Sequence, residues 1–394
     1  MHLRRPALLA LGLVAAATLT ACAGTAPDPA SSSAVEPPAG ERVAISYEGG
    51  ILVLDGTTLE TVGDLASEEF TRLNRAGDGS HVLVTMSEGF QILDTGAASG
   101  SEPTLTDLVF PADAPGHVVR HAGKTVLYAD GTSDTTIIDT DAFASLGDAL
   151  PASTTIPGTE AHHGVSIVLE DGTLVTTVGS ATGRTGITVR DEDGTEITSN
   201  ADCPGVHGEG TAADEVVVFG CENGALIYRD GEIAKVTAPD TYGRTGNIFV
   251  TDTSPLVVGD YKNDPDAEGY LLSSVALIDT QKASMKVVPL PEGVSYTFRD
   301  LARGPKDLGY ILATDGSIHV IDPASGELVD EFPVIAAWEG PVEWQDPHPA
   351  IVVSGDIAYV TEPAAKKVHA LDLTSGEVLA STTLAVTPNE VAVS

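Results

Sequence analysis

Residues 348–384, HPAIVVSGDIAYVTEPAAKKVHALDLTSGEVLASTTL, read as four short apolar runs: His348 to Val353, Ile357 to Thr361, Lys367 to Leu373 and Glu377 to Leu384. Turns containing Ser354-Gly355, Ala364-Ala365 and Ser375-Gly376 separate them. Alternating runs of this length between turn residues are strands, and four strands joined by short turns make an antiparallel meander. Such a meander is one blade of a β-propeller, which needs copies of itself to bury both faces.

The copies are present. The most apolar strand recurs as VAISYE at 43, VLVTMS at 82, VLYADG at 126, LVTTVG at 174, VVVFGC at 216, LVVGDY at 256, YILATD at 310 and IAYVTE at 357. A run ending in Asp follows in most units: ILVLD (51), QILD (91), TTIID (135), VALID (275), IHVID (318) and HALDL (369). No long segment of 3.6 period interrupts them, so helix content is expected to be very low. Residues 42–394 number 353, which gives eight units of about 44 residues each. The expected fold is therefore all-β, a single propeller of eight blades, or seven if one weak unit is an insertion. A β-sandwich of this length needs an interdomain linker, and no Pro/Ser-rich break follows residue 42.

The chain ends supply a separate argument. The first unit starts directly with its second strand at Val43, and after the last unit the chain continues VTPNEVAVS (386–394). That surplus strand is expected to become the missing inner strand of the first blade, closing the ring without an exposed edge.

Upstream, Arg4 and Arg5 precede an apolar stretch from Pro6 to Leu19 that is too short to span a bilayer and has the length of a signal-peptide core. Leu19-Thr20-Ala21-Cys22 has the pattern of a bacterial lipobox. Residues 1–21 are read as a lipoprotein signal peptide. Residues 22–41 are read as a lipidated Cys22 and a flexible linker of Ala, Pro and Ser, and residues 42–394 as the propeller. The expected location is extracytoplasmic, on the cell membrane through that lipid alone. Cys203 and Cys221 remain, as a disulfide or as a pair of metal thiolates without a CxxC knuckle. With 57 acidic against 20 basic residues the net charge is -37, which argues against nucleic acid or an anionic lipid surface as partner.

Histidine placement carries the functional reading. Counting back nine residues from the second-strand starts at 126, 216 and 357 reaches His117, His207 and His348. His162 and His163 fall 12 and 11 residues before the start at 174, near the same register, and His121 lies four residues after His117. Equivalent positions in a closed ring face a common axis, so these imidazoles are expected to converge at one mouth of the channel. Neutral imidazole is the commonest protein ligand for Zn²⁺, and three or four suffice. Glu160, Glu209 and Asp346 are neighbouring acids that can ligate or orient a ring. Zinc binding is expected to weaken as the imidazoles protonate near pH ~6.5. His319 and His369, on third strands, are read as ordinary hydrogen-bonding residues.

The segments GHVVRHAGKTVLYADG (116–131), EAHHGVSIVLEDGTL (160–174), CPGVHGEGTAADEVVVFGCENG (203–224) and WQDPHPAIVVSGDIAYVTEPAAKKVHALDL (344–373) are similar to the AztD zinc metallochaperones. TRLNRAGDGSHVLVTMSEGFQILDTG (71–96) and the terminal VTPNEVAV share the likeness. The resemblance implies an extracytoplasmic propeller that binds zinc and hands it to the substrate-binding protein of a zinc ABC transporter. It implies His117, His163, His207 and His348 as the main ligands, with His162 and His121 behind them, and a Cys203–Cys221 disulfide. Some members carry a histidine-bearing segment near the mature N-terminus, whereas residues 23–42 hold no histidine.

Two other classes stand beside this reading. A metal-free propeller scaffold makes the histidine register accidental. A propeller enzyme needs a catalytic constellation, and no Gly-x-Ser-x-Gly elbow, Walker loop or HExxH helix occurs. The expectation is a non-enzyme.

Overall fold

The computed structural model describes residues 40–394; the expected signal peptide, Cys22 and the expected linker up to residue 39 lie outside the described residues. The chain forms eight four-stranded antiparallel sheets, the blades of an eight-bladed propeller. Blades 2 to 8 each use four consecutive strands, joined in order as an antiparallel meander. Blade 8 comprises Ala350–Ser354, Ile357–Glu362, Lys367–Asp372 and Glu377–Thr383. Its inner strand begins two residues later than the sequence suggested, because Pro349 has no N–H to give a ladder. Among the described residues the helical segments are short 3₁₀ turns, such as Thr140–Ser145.

Blade 1 is built from both ends of the domain. Arg42–Tyr47, Gly50–Asp55 and Thr61–Ala66 supply three strands, and Val391–Val393 joins as the inner one. The register pairs Val43 with Val393, Ala44 with Ala392 and Ile45 with Val391, which is the expected closure. Glu41, the last residue of the expected linker, is buried; its carboxylate accepts hydrogen bonds from Tyr359 (2.6 Å) and Ser354 of blade 8.

Strand alternation explains why the blades stack. On Arg42–Tyr47, Val43 and Ile45 pack with Tyr359 and Val368 of blade 8, while Ala44 turns the other way toward Leu73, Val82 and Val84 of blade 2. Each blade thus gives one apolar face to each neighbour, and the core is a ring of interblade seams. Burying one such Val, Leu or Ile contributes roughly 1.5–3 kcal/mol. The inner strand of each blade turns its edge to the axis. There a cavity of about 450 Å³ is lined by residues such as Arg72, His117, Glu209, Asn247 and Ala350.

A disulfide joins Cys203 to Cys221, both fully buried. It ties the entry of blade 5 to the end of its second strand, next to the turn that presents His207.

Candidate metal centre

Three histidines from three consecutive blades meet at one opening of the channel. His117 lies on the inner strand Pro115–His121 of blade 3, where a bulge between Pro115 and Val118 loosens the pairing. His163 sits in the segment leading from Ser153–Ile156 to Ser166–Val168, the inner strand of blade 4. His207 opens the inner strand His207–Ala212 of blade 5. A second bulge follows at Gly208, whose φ of +59° suits glycine, and a Cβ there would lie 2.5 Å from the Gly246 carbonyl oxygen. Glycine at that point lets the backbone close on residue 246.

The ring centroids lie 5.2 Å apart for His117 and His163, 5.0 Å for His117 and His207, and 4.9 Å for His163 and His207. One nitrogen from each falls within 4.8 Å of the other two. His163 Nδ1 lies 2.6 Å from Asp130 Oδ2, and His207 Nδ1 donates to the carbonyl of Gly246. Each Nδ1 has an acceptor behind it, so in the neutral ring Nδ1 carries the proton and Nε2 is the atom left to ligate. Those Nε2 atoms are 2.9 Å apart. At that distance the two nitrogens share either a proton or a coordinated cation. A tetrahedral zinc with Zn–N of 2.0–2.1 Å holds its nitrogens about 3.3–3.4 Å apart, a shift of a few tenths of an ångström. The donor set therefore fits a borderline divalent cation such as Zn²⁺.

Burial favours the neutral form of two of the rings. Burial pushes His117 well below the usual imidazole range, helped by the neighbouring charges of His207, His163, Arg72 and Arg184. Burial likewise lowers His207 to about 3, against the pull of its bond to Gly246 and with the help of His163, Arg244 and Arg184. Two of the three rings therefore stay unprotonated, hence ready to ligate, well below pH ~6.5.

The remaining candidates lie elsewhere. His162 is buried and fully engaged, its Nε2 at 3.0 Å from Tyr128 Oη and 3.1 Å from Thr177 Oγ1, its Nδ1 at 2.9 Å from both Ser133 Oγ and the Glu160 carbonyl. It clips blade 3 to blade 4. His121 pairs with Glu215 at 2.7 Å, beyond the far end of blade 5's inner strand. Four residues of strand put it about 13 Å from His117, at the other end of the channel wall. His348 is buried at the junction of blades 7 and 8; its Nδ1 is 2.7 Å from the Asp346 carbonyl, and its Nε2 has no partner. Burial and the nearby Arg299 lower it to about 4. It stands outside the three-histidine group.

The three acids named from the sequence do not orient the clustered rings. Glu160 contributes its carbonyl to His162, Asp346 accepts from the Glu343 amide at 2.9 Å, and Glu209 faces Arg120 in the channel. Asp130 and the Gly246 carbonyl take that part instead. Asp130 ends the run VLYADG, where its turn-forming role hides its contact with the next blade. A further group, Asp315, His319 and Glu331 on blade 7, is internally paired: His319 Nε2 is 2.8 Å from Asp315, and Glu331 accepts from Ser317 at 3.0 Å.

An eight-bladed propeller that brings three imidazoles together at one mouth offers a donor set suited to a divalent metal ion. Against known proteins, the chain is similar to the zinc chaperone AztD of Citrobacter koseri, 26% identical over 309 residues that span 75% of this chain and 69% of that one. The solved structure of apo AztD from Citrobacter koseri superposes with a TM-score of 0.74 at 21% identity, over 90% of this chain and 97% of that one. The resemblance read from the sequence is thus borne out. Dihydro-heme d1 dehydrogenase NirN shares the fold alone, at 12% identity and a TM-score of 0.61 over 92% of this chain and 77% of its own. No protein-family model matches the chain.

Proposed function

We propose that this protein is an extracytoplasmic zinc metallochaperone which holds Zn²⁺ on His117, His163 and His207 and delivers it to the substrate-binding protein of a zinc ABC transporter. The observation that carries the reading is the convergence of one nitrogen from each of His117, His163 and His207 within 4.8 Å, with the Nδ1 atoms of His163 and His207 each held by an acceptor behind the ring. The similarity to a protein named zinc chaperone supports the same cargo. Zinc is the cargo and undergoes no chemistry, so the role is carriage and not catalysis.

Transfer follows from the ligand set. Three neutral nitrogens leave a tetrahedral ion one position open to an incoming ligand. His163 is nearly half exposed, so a partner docking at the mouth reaches it first. Replacement of His163, then His207, then the inner His117 passes the ion outward. Arg72, Arg184 and Arg244 around the rings oppose a dication and favour its departure. The lipobox pattern at Cys22 supports a carrier tethered at the cell membrane, beside a membrane transporter.

Competition against a chromophoric chelator tests the binding. Replacement of His117, His163 or His207 by Ala is expected to weaken zinc binding by 10-fold or more, on the order of 1.4 kcal/mol each, and His121→Ala to leave it unchanged. Equal loss in all four variants, or none in any, overturns the ligand assignment. Stopped-flow transfer to the purified transporter-binding protein, faster than spontaneous release, tests delivery.

A further inference from the structure

The channel below the histidines carries an unexpected charge. In a chain of net charge -37, four arginines line the axial cavity: Arg72 and Arg75 of blade 2, Arg120 of blade 3 and Arg299 beside blade 7. Two of them are matched. Glu390 lies 3.3 Å from Arg72 and 2.8 Å from Arg299, and Arg299 also donates to Asn389 at 2.6 Å and to the Trp344 carbonyl at 3.2 Å.

Arg75 and Arg120 are not matched in this way. Arg75 gives one Nη2 bond, 3.0 Å, to the Val353 carbonyl of blade 8. Among the described residues no hydrogen bond or ion pair engages the Arg120 guanidinium, which is open to the channel. The two cations are close enough to repel: burial, then Arg75, pushes Arg120 down to about 9. Their nearest carboxylates do not pair with them. Among the described residues Glu209 lines the same cavity and makes no direct bond to Arg120. Glu41, which faces Arg75, is committed to Tyr359 and Ser354.

From this juxtaposition we infer that the channel binds a small oxyanion of the phosphate or sulfate type between Arg75 and Arg120. Guanidinium forks match such oxygens in number and plane, and charge-assisted bonds of this kind are the strong ones. A cavity of about 450 Å³ gives room for the ion and its remaining water. Arg120 lies three residues along the strand from His117, so the anion sits about 10 Å deeper than the imidazole cluster. The site needs no zinc, and its fate is separate from that of the metal reading.

Isothermal titration of the zinc-free, chelator-free protein with inorganic phosphate, in a buffer of low anion content, tests it. One saturable site per chain is expected, with sulfate competing for it. Affinity should fall about tenfold or more in Arg120→Gln, the loss of one charge-assisted fork. The thermal midpoint of zinc-free Arg120→Gln should be unchanged or higher, because a repelled charge without a protein partner has gone. Arg75→Gln should weaken binding in the same way; if the lost bond to Val353 prevents its folding, Arg120→Gln decides alone. No saturable uptake, or the same affinity in wild type and Arg120→Gln, overturns the proposal.

Discussion

His207 enters the cluster already neutral, and its protonation has consequences that can be measured. With a folded value of about 3 against ~6.5 for a free imidazole, the folded state binds fewer protons than the unfolded chain between those two pH values. Its contribution to stability is therefore complete above pH ~6.5 and is lost as pH falls toward 3. In the zinc-free protein the His207 ring should show no NMR titration between pH 8 and pH 5; a midpoint near 6.5 would contradict the burial argument. Asp130 acts at one remove. Asp130→Asn removes the charge that holds His163 Nδ1–H and should weaken zinc affinity about 10- to 100-fold without changing the fold. His162→Ala should do the reverse: zinc affinity is kept, while stability falls by roughly 1–3 kcal/mol as Tyr128, Ser133 and Thr177 lose a buried partner.

Among the elements, the terminal strand Val391–Val393 bears the closure of the ring. Its three residues are buried and pair with blade 1. Ala392→Asp places an unpaired charge in the seam with blade 2 and is expected to cost several kcal/mol, read as a large drop in denaturant midpoint. The disulfide supports the His207 turn: in a chain-entropy account its closure of an 18-residue separation is worth about 3 kcal/mol, so Cys203→Ser with Cys221→Ser should lower the melting temperature and loosen the site together. Much of this was legible in the sequence. Turn residues punctuate each blade, and VTPNEVAVS announces itself as a strand without a place in the last unit. The site was legible only in part, for a geometric reason. Counting along a blade gives height on the channel wall but not position around it. His348 matches His117 and His207 in count, yet blade 8 lies across the ring from blades 3, 4 and 5, so only the three adjacent blades bring rings together. Asp130 and the Gly246 carbonyl escaped notice because each meets its histidine across a blade boundary, where no local pattern records the contact.

For the molecule as a whole, metal binding and folding are linked. Zinc at 100 times its dissociation constant should stabilise the native state by about 2.7 kcal/mol, raising the melting temperature in wild type and not in the variant lacking His117, His163 and His207. The proposed membrane attachment through Cys22 predicts that Cys22→Ala releases the protein from the membrane fraction while its purified propeller binds zinc as before. The account rests above all on where the ion sits. Anomalous diffraction at the zinc edge from crystals of the loaded protein should give one strong peak within ~2.0–2.1 Å of nitrogens from His117, His163 and His207. A peak at Asp315, His319 and Glu331 with none at the channel mouth, or no ordered zinc at all, would contradict it.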